Sequence, residues 1–114
     1  MKSTINKPWG SFQIIDKGKN YVVKNILINP HSKASLQSHN HRSEHWVVVE
    51  GTLEATVNGK ITILESNQSI FIPLNAKHRL ANNSDTNVKI IEVWYGNILD
   101  EGDIIRYEDE YNVK

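Results

Sequence analysis

Along most of this chain apolar and polar residues alternate with a period of two, and strand-breaking residues interrupt the alternation at intervals of roughly ten. Such a pattern suits short strands with one dry face and one wet face, and leaves little room for helices. Residues 21–29 read as a strand stopped at Pro30, which cannot donate to a ladder. Residues 45–50 form a β-branched and aromatic run that ends at Gly51. The stretches 53–57 and 61–64 flank Asn58-Gly59-Lys60, and an Asn-Gly pair with positive φ at both central positions predicts a tight hairpin. Residues 69–72 and 88–95 are further strands, with the polar turn formers of 81–87 between them. Residues 35–41 read as a short strand or strand end. Seven or eight such strands predict an all-β sandwich or barrel, one domain over residues 1–114. Only residues 100–111 depart from the pattern. They are strongly acidic and predict a helical turn or irregular clasp, with Ile104, Ile105 and Tyr107 toward the barrel and Glu108, Asp109, Glu110 and Tyr111 on the surface.

Charge and composition narrow the partners. Lysine plus arginine and aspartate plus glutamate both number 13, so no general attraction to polyanions is expected, and nucleic acid is a poor candidate. Cysteine is absent, which excludes disulfides and thiolate metal sites and is compatible with a reducing compartment. No apolar run approaches the roughly 20 residues needed to span a bilayer, and the first residues lack a signal-peptide core. A soluble, cytoplasmic protein without a membrane partner is expected.

Of the five histidines, His39, His41 and His45 fall within one polar stretch of residues 35–46, with His31 just upstream and His78 alone far downstream. On an extended strand alternate residues share a face, so Gln37, His39 and His41 are expected to point inward together, with Glu44 returning from beyond a bend. A lone histidine is usually structural. A His-x-His followed closely by Glu, with another His after a Pro-containing turn, instead suits a divalent ion such as zinc, iron, nickel or manganese when thiolates are absent.

Residues 30–51 resemble the first motif of the cupin superfamily, and residues 67–82, with Pro73, His78 and Asn82, resemble the second. Within cupins, the wording from Leu36 to Gly51 is similar to the C-terminal isomerase domain of type II phosphomannose isomerases. So are Lys7-Pro8-Trp9-Gly10, Ile72-Pro73, His78-Arg79-Leu80, Ile91-Glu92-Val93 and the closing stretch 103–111, so the resemblance covers nearly the whole chain. It implies a cupin double-stranded β-helix, a jelly-roll barrel. Where the pattern has glycine this chain has His31, Asn67 and Asn75; asparagine tolerates positive φ well and histidine less readily. The nucleotidyltransferase domain that often precedes the module lies outside these 114 residues, so guanylyl transfer is expected to come from elsewhere. Two ligand registers stay open. The usual cupin spacing puts the first two ligands on Gln37 and His39, whereas His-x-His selects His39 and His41; both keep Glu44 and His78. The expected set is His39, His41, Glu44 and His78, with Gln37 as substitute.

Arg42, Arg79, Lys24 and Arg106 are candidates to grip a phosphate or sugar hydroxyls, and Arg42 and Arg79 rank first because each adjoins a proposed ligand. Trp9, Trp46 and Trp94 are expected in the core or a dimer contact, and His45 is expected to face outward. The resemblance implies metal-dependent interconversion of mannose 6-phosphate and fructose 6-phosphate. The rivals are a metal-binding cupin that recognises a sugar or nucleotide sugar without turnover, and isomerase or epimerase chemistry on another sugar in surface-polysaccharide synthesis. The catalytic base is not readable. A homodimer is expected, because a chain this short gains buried apolar area by pairing.

Overall fold

The computed structural model describes residues 3–108. Among these the chain forms twelve strands and no helix, so the all-β expectation holds and no helix is long and apolar enough to cross a membrane. The strands are β1 (Ile5–Lys7), β2 (Gly10–Lys17), β3 (Tyr21–Ile28), β4 (Ser32–Lys33), β5 (Leu36–Ser38), β6 (Arg42–Glu50), β7 (Leu53–Val57), β8 (Lys60–Leu64), β9 (Ser69–Ile72), β10 (His78–Asn82), β11 (Val88–Gly96) and β12 (Ile105–Glu108). They pair antiparallel in two sheets, one in the order β1-β2-β3-β11-β6-β9 and one in the order β12-β5-β10-β7-β8, with β4 also on β10. Non-consecutive neighbours such as β3, β11 and β6 bring early, late and middle segments of the chain into one sheet.

The alternation seen in the sequence sets which side chains meet. On β6, Arg42, Glu44, Trp46 and Val48 are buried, while His45, Val47 and Val49 are exposed. Ile26, Ile28, Trp46, Val48 and Ile90 from one sheet meet Leu53, Ala55 and Leu80 from the other in a continuous core. The Asn58-Gly59 hairpin has the predicted geometry, with φ of 49° and 82°. His31, Asn67 and Asn75 adopt φ of 53°, 74° and 68°, so all three occupy the left-handed conformation for which glycine would be the easy choice. His31 is tied down by Asp85 Oδ1, 2.6 Å from its Nε2. Gly51 has φ of 90° and is also sterically required: a Cβ there would stand 2.8 Å from Asn87 O.

Three expectations change. The 35–41 strand ends at Ser38, the chain bends over residues 39–41, and β6 begins at Arg42, three residues before the predicted start. Residues 78–82 form a strand, packed between β7 and the short β4 and β5. The acidic end forms a turn and then β12 on β5, with no helical turn. There Ile104 is half-buried, whereas Ile105 and Tyr107 are exposed; Asp109, Glu110 and Tyr111 lie outside the described residues.

The outer face of the first sheet is unusually apolar for a wet surface. Cross-strand register lines up Val23, Val93, His45 and Phe71 in one row and Asn25, Ile91, Val47 and Ser69 in the next. The expected outward position of His45 is confirmed, its ring lying 4.7 Å from that of Phe71.

Candidate metal centre

Between the sheets lies a cavity of about 210 Å³, with the inward residues of β3, β6, β10 and β11 on its walls. His39, in the bend after β5, Glu44 on β6 and His78 at the start of β10 come together at one end, all buried. His39 Nε2 is 3.2 Å from both His78 Nε2 and Glu44 Oε2, and His78 Nε2 is 3.9 Å from Glu44 Oε2.

The ring nitrogens on the far side define what these atoms are. His39 Nδ1 lies 2.6 Å from Asp103 O and His78 Nδ1 lies 3.0 Å from Ala76 O. A carbonyl only accepts, so each Nδ1 carries the proton and each neutral ring turns an Nε2 lone pair toward the other. Burial lowers the pKa of both rings, that of His39 to about 4 with Arg42 adding to the effect, and so keeps them neutral near pH 7. Burial works against ionisation of Glu44, but His78, Arg42, His39 and the Trp46 indole outweigh it and hold the carboxyl below its ordinary range. Two lone pairs and a carboxylate oxygen therefore converge, an arrangement that repels itself without a cation.

A divalent ion fits that donor set. Ligand atoms 2.0–2.2 Å from a tetrahedral ion stand roughly 3.4 Å apart, close to the separations found here. In the structure Arg42 supplies the positive charge, with Nη2 3.0 Å from His39 Nε2 and Nε 3.0 Å from Glu44 Oε2. The His39 lone pair serves either Arg42 or an ion, not both. Arg42 Nη1 is buried and lacks a hydrogen-bond partner, which is the one such side-chain atom among the described residues.

The predicted ligands divide accordingly. The structure brings together His39, Glu44 and His78, and Gln37 borders the same cavity from β5, its Nε2 donating to Ser35 Oγ at 3.0 Å. His41 is not brought in; it is exposed, with its backbone N–H donating to Asp103 Oδ2 at 2.9 Å. The period-two reading placed it inward only because it carried the strand through a bend. Arg42 and Arg79 both border the cavity. Arg79 is committed mainly to backbone, donating from Nε to Ala34 O at 2.9 Å and from Nη2 to Glu108 O at 3.3 Å. Trp46 and Trp94 are buried as expected, yet they also orient carboxyls: Trp46 Nε1 donates to Glu44 Oε1 at 2.9 Å and Trp94 Nε1 to Glu92 Oε1 at 2.6 Å.

Sequence reasoning missed Glu92, Asp103 and Glu101. Burial, then the charge of Glu44, pushes the Glu92 carboxyl up to about 8 despite Lys24, the Trp94 indole and Arg42. A signal existed, since Glu92 occupies an inward phase of β11 between Ile90 and Trp94. Asp103 holds the bend between ligands, its carboxylate accepting from the N–H groups of Asn40 and His41 at 3.0 and 2.9 Å. Glu101 pairs with the buried Lys24 at 3.0 Å. Nothing in an acidic tail singles out these last two.

Residues 1–109 match the family described as mannose-6-phosphate isomerase C-terminal. The chain is 45% identical over 111 residues to the mannose-1-phosphate guanylyltransferase ManC of Salmonella typhimurium, covering 97% of this chain and 23% of that protein. It is 46% identical over 107 residues to the alginate biosynthesis protein AlgA of Pseudomonas aeruginosa, covering 94% and 22%. The chain thus spans under a quarter of the length of these relatives. Among solved structures, an RmlC-like cupin from Shewanella frigidimarina superposes with a TM-score of 0.77 at 20% identity, covering 89% of this chain and 87% of that one. The capsular polysaccharide assembling protein CapF of Staphylococcus aureus gives 0.80 at 20%, covering 95% and 32%. The two-sheet barrel is the double-stranded β-helix of cupins.

Proposed function

The chain belongs to the mannose-6-phosphate isomerase C-terminal family, and from that premise we propose that it is a metal-dependent aldose–ketose isomerase acting on a sugar phosphate, interconverting mannose 6-phosphate and fructose 6-phosphate. The observation that carries the reading is the convergence of His39 Nε2, His78 Nε2 and Glu44 Oε2 in a buried cavity rich in cationic side chains. A divalent ion held by these atoms, with Gln37 alongside, would supply Lewis-acid polarisation of the sugar carbonyl.

The chain's own residues supply the rest. The reaction moves one proton from C2 to C1 and another between O2 and O1, through an enediolate and without net oxidation. Glu92 suits the carbon-to-carbon transfer: it lines the cavity, Trp94 fixes its Oε1, and with a carboxyl titrating at about 8 the minor ionised fraction near neutrality takes the C2 proton at its other oxygen and returns it to C1. Arg42, with a buried donor to spare, suits a sugar oxygen that gains negative charge. Trp46 and Asp103 hold Glu44 and the 39–41 bend in place.

Purified protein loaded with zinc, nickel, manganese or iron is expected to interconvert the two sugar phosphates in a coupled assay. Failure with every metal would sink the isomerase reading. One second reading is a cupin that binds the sugar without turning it over, because a shared fold does not fix a function. Saturable binding of mannose 6-phosphate with no turnover selects that reading, and turnover of a nucleotide sugar in its place selects a different substrate.

A further inference from the structure

The cavity carries more positive charge than its own walls neutralise. Lys24, Arg42, Arg79 and Arg106 all border it. Against them stand Glu44, engaged with Arg42 and His39; Glu92, mostly protonated at neutral pH; Glu101; and Glu108, 3.8 Å from Arg79. Lys24 is the most exacting of the cations. A lysine usually extends its ammonium to water. Here the side chain is 5% exposed, and Nζ lies 3.7 Å from the Trp94 ring centroid and 4.1 Å from that of Phe12.

Its charge partner comes from outside. Glu101 lies in the turn before β12, its side chain 61% exposed, and reaches in to place Oε2 at 3.0 Å and Oε1 at 3.3 Å from Nζ. A phosphate would meet the same ammonium as a point charge. The guanidinium of Arg42 lies over the same Trp94 ring at 3.3 Å, which adds positive charge near the ammonium.

We propose that Lys24 is the subsite for the substrate's phosphate, and that the Glu101 carboxylate stands in that subsite until the phosphate displaces it. The inference rests on the sugar-phosphate reading, which supplies the anion. Exchange is favourable on elementary grounds. An ion pair with one partner so exposed is weak, whereas a phosphate monoester brings close to two charges and three acceptor oxygens. Glu101 is thus an internal competitor: it neutralises a buried ammonium in the absence of ligand and sets how much anion is needed to open the subsite.

Calorimetric titration with inorganic phosphate tests this without reference to turnover. Glu101→Gln, a change on an exposed side chain, is expected to tighten phosphate binding about two- to fivefold by removing the competitor. Lys24→Met, which keeps the apolar stem, is expected to weaken it about tenfold or more. Unchanged or weaker binding in Glu101→Gln, or no measurable phosphate binding to the wild type, overturns the proposal even if Lys24→Met fails to fold. Phosphate binding that responds as expected in a protein without isomerase activity leaves the subsite standing and removes only the reaction assigned to it. Turnover with no response to Glu101→Gln does the reverse.

Discussion

Replacing Glu92 by Gln should stabilise the protein at pH 8 while changing it little at pH 5. Glu92 is buried, with Oε1 accepting from the Trp94 indole at 2.6 Å. Glutamine keeps the acceptor and nearly the same volume, so the substitution removes mainly the ability to ionise. Burial and the neighbouring Glu44 charge raise the folded-state pKa to about 8 from the ordinary 4.5. The folded chain therefore holds a proton that the unfolded chain releases, and stability falls as pH rises from 4.5 to about 8 and then levels off. At roughly 1.36 kcal/mol per pH unit the ceiling on this loss is about 5 kcal/mol at pH 8 and about 1 kcal/mol at pH 5. Urea midpoints of wild type and Glu92→Gln, measured on chelated protein at both pH values, give the difference directly, because titrations common to both chains cancel. A gain of up to about 4 kcal/mol for the variant between pH 5 and pH 8 is expected. A variant less stable than wild type at pH 8 would refute the reasoning, since it would mean that Glu92 is ionised and paired with Lys24.

Other substitutions probe other parts of the account. Asn82 is fully buried and bridges chain segments, donating from Nδ2 to Ile28 O, Asn29 O and Thr86 O and accepting from Ser84. Asn82→Ala should cost about 3 kcal/mol or more in urea unfolding, and a loss under about 1 kcal/mol would show that water replaces these bonds. Trp46→Phe removes the indole donor to Glu44 and should weaken divalent-ion affinity about tenfold or more in calorimetry; unchanged affinity would deny the indole any role at the site. The apolar rows on the outer face of the first sheet suit a homodimer. Sedimentation should then show a dimer for wild type and a folded monomer for Val47→Glu, and a wild-type monomer at micromolar concentration would count against that assembly.

What the sequence revealed and what it hid follow from the same alternation. β3 and the Asn58-Gly59 hairpin were readable because their periodicity and turn residues agree. His31, Asn67 and Asn75 were readable as positive-φ positions by the glycines they replace in the cupin pattern. β2 was not, since a register shift between Ile14 and Asp16 changes its phase midway. β10 was hidden because His78 and Arg79 serve the cavity and its backbone, leaving no clean apolar stripe. In the site, His39, Glu44 and His78 were legible from residue type and spacing, while His41 shows that spacing fails wherever a strand ends unannounced. Glu101 and Asp103 act through the fold of a distant segment over the cavity, which local sequence does not encode.

Metal content measured after loading and extensive dialysis tests the central claim most directly. Wild-type protein is expected to retain about one divalent ion per chain, and His39→Ala with His78→Ala to retain none while its far-ultraviolet circular dichroism stays that of a folded β protein. A folded double variant that holds the ion as tightly as wild type would contradict the account.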